Sequence, residues 1–363
     1  MRRTEKTAAE APESGPAAGF VYQLPKELIA QRPAAERAQA RLLAVARGRP
    51  GALEHGGVHE LPERLAAGDL LVRNRSRVFP ARLRGVREPG GGAVEVLLLH
   101  ATSASREPSG GVEWRAMARP AKRLHTGQSL LFTGPGGAEL PCVVAAKEEG
   151  SVRLRFPAGT DVLGAARLVG EVPLPPYIER PEGPTEEDLE RYQTIFAREE
   201  GSVAAPTAGL HLTEALFARL AARGVGVADI VLHVGPATFL AGQPGRSGLA
   251  VEPEFYFVPP ETVEAIRACT GRVIAVGTTT TRALESAARS DWPQAPQATN
   301  LILHPGERFD VVQGLLTNFH LPGSSLLALV AGFAGSEVAR QAYECAVAER
   351  YRFYSYGDAM LIL

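Results

Sequence analysis

The chain has 363 residues, 45% of them hydrophobic and 22% charged, with a formal net charge of −1. This is globular composition, and the length suffices for two domains or for one large domain with an insertion. A balance this close to neutral excludes binding to nucleic acid through overall charge and leaves only local basic patches for that purpose.

Residues 1–18 are rich in Ala, Pro, Glu and Ser and are expected to form a disordered tail. Arg2 and Arg3 precede no apolar stretch of the kind an export signal needs. Structure is expected from Phe20, where FVYQLPKELIAQRP reads as an extended piece followed by a helical turn. From residue 79 to 167 the texture changes. AVEVLLLHAT, GVEWRAMARP, QSLLFTG, AELPCVVAAKEEG and SVRLRFP are short strand-like runs punctuated by Gly and Pro. Strands at roughly 10-residue spacing predict a small antiparallel barrel or sandwich.

Beyond GEVPLPPYIERPEG the pattern becomes α/β. ALFARLAARG predicts a helix closed by Gly224, and VADIVLHVG the buried strand after it. ETVEAIRACTG predicts a second helix closed by Gly271, RVIAVG a strand, and TRALESAARS a third helix. Alternating helices and apolar strands predict a largely parallel sheet with helices on its faces. The expected architecture is therefore an α/β main domain, residues 19–78 and 168–363, with a smaller antiparallel β-barrel domain inserted at 79–167. No internal repeat is present.

Polar residues gather at a few places. In APTAGLHLTEALFARL a helix is expected to start near Thr213, with Leu216, Phe217 and Leu220 as its apolar stripe. Pro206, Thr207, Gly209 and His211 fall in the loop before it, either as a brace for the helix entry or as an active-site loop. The strand RVIAVG runs into Thr278, Thr279, Thr280, Thr281 and Arg282. A helix N-terminus beyond a strand favours an anion, while the plainer reading is that the threonines only cap the helix. The segment is neither a GxGxxG fingerprint nor a P-loop.

His233 ends an apolar strand, His320 lies in LLTNFHLPGSS, and His304 precedes a Pro-Gly turn. A single strand-end histidine is more often a satisfied core residue than a catalyst, but four such residues, with His211, weaken that reading. His55, His59, His100 and His125 read as surface residues. None has the spacing of a metal site, and no metal is expected. Cys142, Cys269 and Cys345 are far apart, which excludes a disulfide scaffold or a thiolate zinc site. No apolar run is long enough for a membrane span, so a cytoplasmic protein is expected. Arg191, Tyr192, Gln193 and Thr194 lie in a long polar connection suited to lining a cleft.

Together these stretches resemble the S-adenosylmethionine:tRNA ribosyltransferase-isomerase family of queuosine biosynthesis. The likeness rests on RPAKRL (119–124), GEVPLPPYI (170–178), ERYQT (190–194), GSVAAPTAGLH (201–211), LHVG (232–235), RVIAVGTT (272–279), LLTNFHLP (315–322) and ERYRFYSYGDAMLIL (349–363). It implies a transferase that uses S-adenosylmethionine as co-substrate and tRNA as partner, acting as a monomer without a metal. The ribosyl part of the co-substrate would pass to an aminomethyl-deazaguanine base at the wobble position. His211, His233 and His320 are then the acid–base candidates, with their roles undivided. Thr207, Gly209, Thr278, Thr279, Arg282 and Asn318 are expected to hold the co-substrate. Arg119, Lys122, Arg123, Arg191, Tyr192 and Gln193 are expected to meet the RNA.

The chain also departs from the family pattern. Arg75 stands where NDTRV has an acid, Ala38 and Ala40 replace Asp and Ser, and Ala237 replaces a glycine. Leu249 and Glu252 occupy the positions of two histidines of an HxMHxE stretch, of which Glu254 persists. Three readings follow. The usual tRNA reaction survives, or a paralogue acts on a free deazapurine or another amine, or a tRNA- or nucleoside-binding protein has lost turnover.

Overall fold

The computed structural model describes residues 20–102, 111–236 and 253–363. The expected tail, and the departures at Ala237, Leu249 and Glu252, lie outside them. The chain enters through an extended piece and a 3₁₀ turn at Lys26–Leu28. Strands β1 (Arg41–Val45), β2 (Leu53–Gly57), β3 (Leu70–Asn74) and β4 (Ser76–Val78) follow. The next group is β5 (Arg82–Glu88), β6 (Gly92–Ala101), β7 (Val112–Arg119), β8 (Ser129–Thr133), β9 (Glu139–Glu148), β10 (Ser151–Phe156) and β11 (Gly170–Glu171). The rest are β12 (Glu199–Ser202), β13 (Gly226–Leu232), β14 (Glu254–Phe257), β15 (Val273–Val276), β16 (Gln297–Thr299), β17 (Gly314–Asn318) and β18 (Ala359–Ile362).

Strands β5, β6, β7, β10, β9 and β8 form an antiparallel barrel, closed by pairing of β5 with β8. Gly85 faces Val94 on one neighbour and Phe132 on the other. A Cβ there would come 2.2 Å from the Leu131 carbonyl oxygen, so only glycine lets β5 close the ring. The barrel packs against Phe79, just after β4, edge-on to Trp114, and against the larger sheet through His100 edge-on to Phe255. One apolar core runs through both.

The larger sheet has the order β16-β14-β13-β3-β15-β17-β18-β1-β2. Its centre, β13-β3-β15-β17, is parallel. The expectation of a largely parallel sheet holds there and at the β18–β1 pair, but not across the whole sheet. β14 and β16 join one side antiparallel, and β18 returns antiparallel to β17 after the helices Ser325–Ala334 and Ser336–Ala348. The main domain is thus α/β with a mixed sheet. Central strands are apolar on both faces because both are covered. Leu71, Ile274 and Leu316 pack with Leu216 and Leu220 on one side, and Val72, Ala275 and Leu315 join the main core on the other.

Helix ends follow local rules with one correction. Thr213 caps Glu214–Ala222 by accepting the Leu216 N–H at 3.2 Å, and Gly224 takes φ +75° behind it. Helix Pro260–Ala268 has its C-cap at Cys269, one residue earlier than a Gly271 stop requires. Gly271 serves close approach, since a Cβ would meet Asp69 Oδ1 at 2.6 Å. No described helix is long and apolar enough to cross a membrane.

Candidate active site

The four parallel strands end side by side, and their carboxyl edge collects most of the polar residues singled out above. His233 follows β13, Asn74 ends β3, Gly277 follows β15, and Asn318 ends β17. Such an edge is where open α/β sheets bind ligands. Asn74 is consumed structurally: its side chain clamps the Leu232 backbone at 2.8 and 3.0 Å and accepts from the Ser76 N–H.

A 3₁₀ turn, Thr207–His211, lies across the end of β17. Gly209 lets it settle there, because a Cβ would meet Phe196 Cζ at 2.8 Å and Thr194 Cγ2 at 3.0 Å. Thr207 Oγ1 donates to Asn318 Oδ1 at 2.8 Å. Asn318 Nδ2 donates to His211 Nε2 at 3.2 Å and to the Asp358 carbonyl at 3.4 Å. A carbonyl can only accept, so the Asp358 contact fixes which amide atom faces His211. With Nε2 accepting, the proton of the neutral ring sits on Nδ1. Burial, then the charges of Arg352 and Arg37, pull the His211 pKa down to about 4.

The helix Thr278–Arg289 begins beside this turn, where a Cβ on Gly277 would lie 3.5 Å from Ala208 Cβ and 3.6 Å from Thr279 Oγ1. Its cap is Gly277, with φ +91° and no side-chain capping bond, so the threonines are not caps. Thr280 and Thr281 bond back to the carbonyls of Val276 and Gly277. Thr278 is buried and Thr279 half-buried at the mouth. Arg282 faces elsewhere: it forms a buried ion pair with Glu254, donates to the Leu301 carbonyl at 2.8 Å, and has a buried Nη2 with no partner. Glu254 also accepts the Gly235 N–H at 2.7 Å.

The other two histidines are set apart from His211. Thr317 and Asn318 are neighbours on β17 and point to opposite faces. His320 Nε2 is 2.8 Å from Thr317 Oγ1, and its N–H donates to the Tyr343 hydroxyl. Burial lowers its pKa to about 4. His233 lies at the end of β13, three strand spacings or about 14 Å along the sheet from β17. Its ring rests on Gly201, where a Cβ would clash at 2.6 Å. Its Nδ1 is buried without a partner, and burial lowers its pKa.

Among the residues expected to meet RNA, Arg191 reaches the His211 side of the molecule. It lines a cavity of about 20 Å³ with Arg37, Ala40, His211, Arg352 and Tyr356. Tyr192 is fully buried and edge-on to Tyr356, and Gln193 clamps both backbone groups of Val78 at 2.8 and 3.1 Å. Neither is free to read a base. Arg119, Lys122 and Arg123 are exposed on the barrel. Arg119 pairs in register with Glu95, five residues along β6 from His100, or about 16 Å.

Arg37, Arg352 and Tyr356 join the cavity without having been singled out in the sequence. For Arg352 and Tyr356 the only signal was the density of Arg and Tyr in ERYRFYSYGDAMLIL, and for Arg37 there was none. The departures fit their surroundings: Ala40 is buried in the apolar cluster under the turn, and Arg75 pairs with Glu199 at 3.4 Å. Cys142 is buried, with its thiol pushed up to about 12, and Cys269 and Cys345 are half-buried and free. No His/Cys/Asp/Glu group suited to a metal occurs among the described residues.

A family model described as queuosine biosynthesis protein matches residues 17–362. The chain is 48% identical to an S-adenosylmethionine:tRNA ribosyltransferase-isomerase from Anaeromyxobacter sp. (strain Fw109-5), over 94% of this chain and 97% of the relative. It is 47% identical to the protein of that name from Thermus thermophilus, over 95% of this chain and 98% of the relative. The crystal structure of S-adenosylmethionine tRNA ribosyltransferase from Thermotoga maritima is similar with a TM-score of 0.53 and 36% identity, covering 95% of this chain and all of that one.

Proposed function

The chain belongs to the queuosine biosynthesis protein family, and from that membership we propose that it transfers and isomerises the ribosyl part of S-adenosylmethionine onto tRNA. The acceptor is the aminomethyl group of 7-aminomethyl-7-deazaguanine at the wobble position. The product is epoxyqueuosine, with adenine and methionine released, and the reaction is cytoplasmic. Supporting this reading above all is the Thr207–Asn318–His211 chain of hydrogen bonds on the carboxyl edge of the parallel strands.

The residues divide the work by their surroundings. The sulfonium acidifies the ribose C5′ hydrogens, so the reaction needs a base with an available nitrogen. His211 Nε2 is already engaged, while its Nδ1–H is fixed as a donor by Asn318. We assign His211 to hydrogen bonding, either to a ribose hydroxyl or to the departing adenine. His233, with Nδ1 unpartnered, is the proton acceptor. Thr278 and Thr279 supply hydroxyl donors at the helix mouth for neutral polar groups of the co-substrate. The test is incubation with S-adenosylmethionine, with and without tRNA carrying the aminomethyl base, followed by mass spectrometry. Adenine released only with that tRNA supports the reading. Release with a free deazapurine alone points to a small-molecule acceptor, and no release in any mixture overturns it.

A further inference from the structure

Three guanidinium groups from distant parts of the chain line one small cavity beside His211: Arg37, Arg191 and Arg352. Their hydrogen bonds go to backbone carbonyls. Arg37 donates to Leu210 and Glu190, Arg191 to Ala34 and Ala35, and Arg352 to Arg32. None of these acceptors carries a full charge. Arg191 Nε is buried with no partner. Among the carboxylates nearby, Asp188 accepts from the cavity-lining Tyr356 and is already paired with Arg180. Asp358 stands 3.7 Å from Arg352 Nε but already accepts the backbone N–H groups of Arg41 and Arg352, and Glu190 is exposed beside Arg37. His211 is uncharged here and adds no negative charge.

Holding three positive groups together costs electrostatic energy, and the folded chain supplies too little negative charge to offset it. The cluster is therefore built for an anion that arrives from outside. The cavity is about 20 Å³, close to the space of one water, and is walled by Pro33, Ala34 and Ala40. A guanidinium-lined recess of this kind suits a small oxyanion.

We propose that Arg37, Arg191 and Arg352 form the subsite for the α-carboxylate of the methionyl group of S-adenosylmethionine. Guanidinium forks match carboxylate geometry. Arg282, also near this edge, is ion-paired with Glu254 and keeps only a buried Nη2 unpartnered. The subsite places the methionyl end on the arginine side of His211 and leaves the ribose and adenine on its strand-end side. This inference rests on the adenosylmethionine reading above and deepens it.

Calorimetric titration with S-adenosylmethionine and with its decarboxylated analogue tests it. The parent protein should bind the carboxylate form roughly 10- to 100-fold more tightly, the scale of a charge-assisted pair. Arg191→Gln should lose most of that preference while holding the decarboxylated analogue as before. Arg37→Gln is the second variant if the first unfolds, with thermal unfolding recorded for both. Equal affinity of the parent for both ligands overturns the subsite and leaves the adenosylmethionine reading standing. Binding of neither ligand overturns both. A preference retained in both variants, with tRNA binding weakened, makes the cluster a phosphate contact and defeats the proposal.

Discussion

Asn318 donates to His211 Nε2 across 107 residues of chain, and the same amide is gripped by Thr207 and by the Asp358 carbonyl. The histidine is thereby held as one tautomer, uncharged, with Nδ1–H as its free donor. This contact sets the hydrogen bonding of His211 apart from that of His233 and His320.

His211→Ala should cut single-turnover adenine release by roughly 10²–10³-fold, the usual loss when a fixed donor to developing charge is removed. Affinity for S-adenosylmethionine should change far less. Turnover close to parental in a folded variant would remove His211 from the site and leave it as a brace for the 207–211 turn.

The lowered His211 pKa carries a stability prediction. Protonation is disfavoured in the folded state, near pH 4, relative to about 6.5 for the free side chain. The stabilisation is complete above pH 6.5 and is lost as pH falls toward 4. At pH 5 this residue should account for about 2 kcal/mol of lost stability. Urea unfolding at pH 8 and pH 5 should therefore show a shallower decline for His211→Gln than for the parent. Identical slopes would mean that His211 is solvated.

Glu254 and Arg282 should behave as a unit. Glu254→Ala alone leaves a buried, uncompensated guanidinium and should cost about 3–5 kcal/mol. Arg282→Met alone should also be costly. The double variant should lose less than the sum, by about 1–3 kcal/mol of coupling in a double-mutant cycle. Strict additivity would contradict a buried pair.

His233 makes the opposite case to His211. His233→Gln should reduce turnover by roughly 10²–10⁴-fold and remove an inflection from the pH–rate profile, as loss of a general base does. A profile that keeps its acid limb in this variant would move the base elsewhere, with His320 next in line.

The basic cluster on the barrel has its own test. Lys122→Ala/Arg123→Ala should weaken tRNA binding and flatten the dependence of log affinity on log salt by up to about two. S-adenosylmethionine affinity should be untouched. An unchanged salt slope would rule out a phosphate contact at this end of the barrel.

Much was legible without coordinates. The strand runs of the barrel, the Thr213 cap, the Gly224 stop and the strands around residues 226–232 and 273–276 follow from period, turn residues and capping, which act over a few residues. The PTAGLH loop was also marked, because polar residues beside a buried strand stand out locally, whereas Asn318 was marked only through the family resemblance. Other features depend on pairing at long range. The antiparallel return of β18, closure of the barrel at Gly85 and the need for glycine at residue 271 arise where segments far apart in sequence touch. The same holds for charge. Arg282 looks like a ligand arginine until Glu254 is seen against it, and Gln193 looks free until it is found clamping Val78. Arg37, Arg191 and Arg352 are unremarkable singly, and only folding places them around one cavity. A side chain's chemistry is set by its type, which the sequence states, but its availability is set by its neighbours, which only the tertiary structure decides.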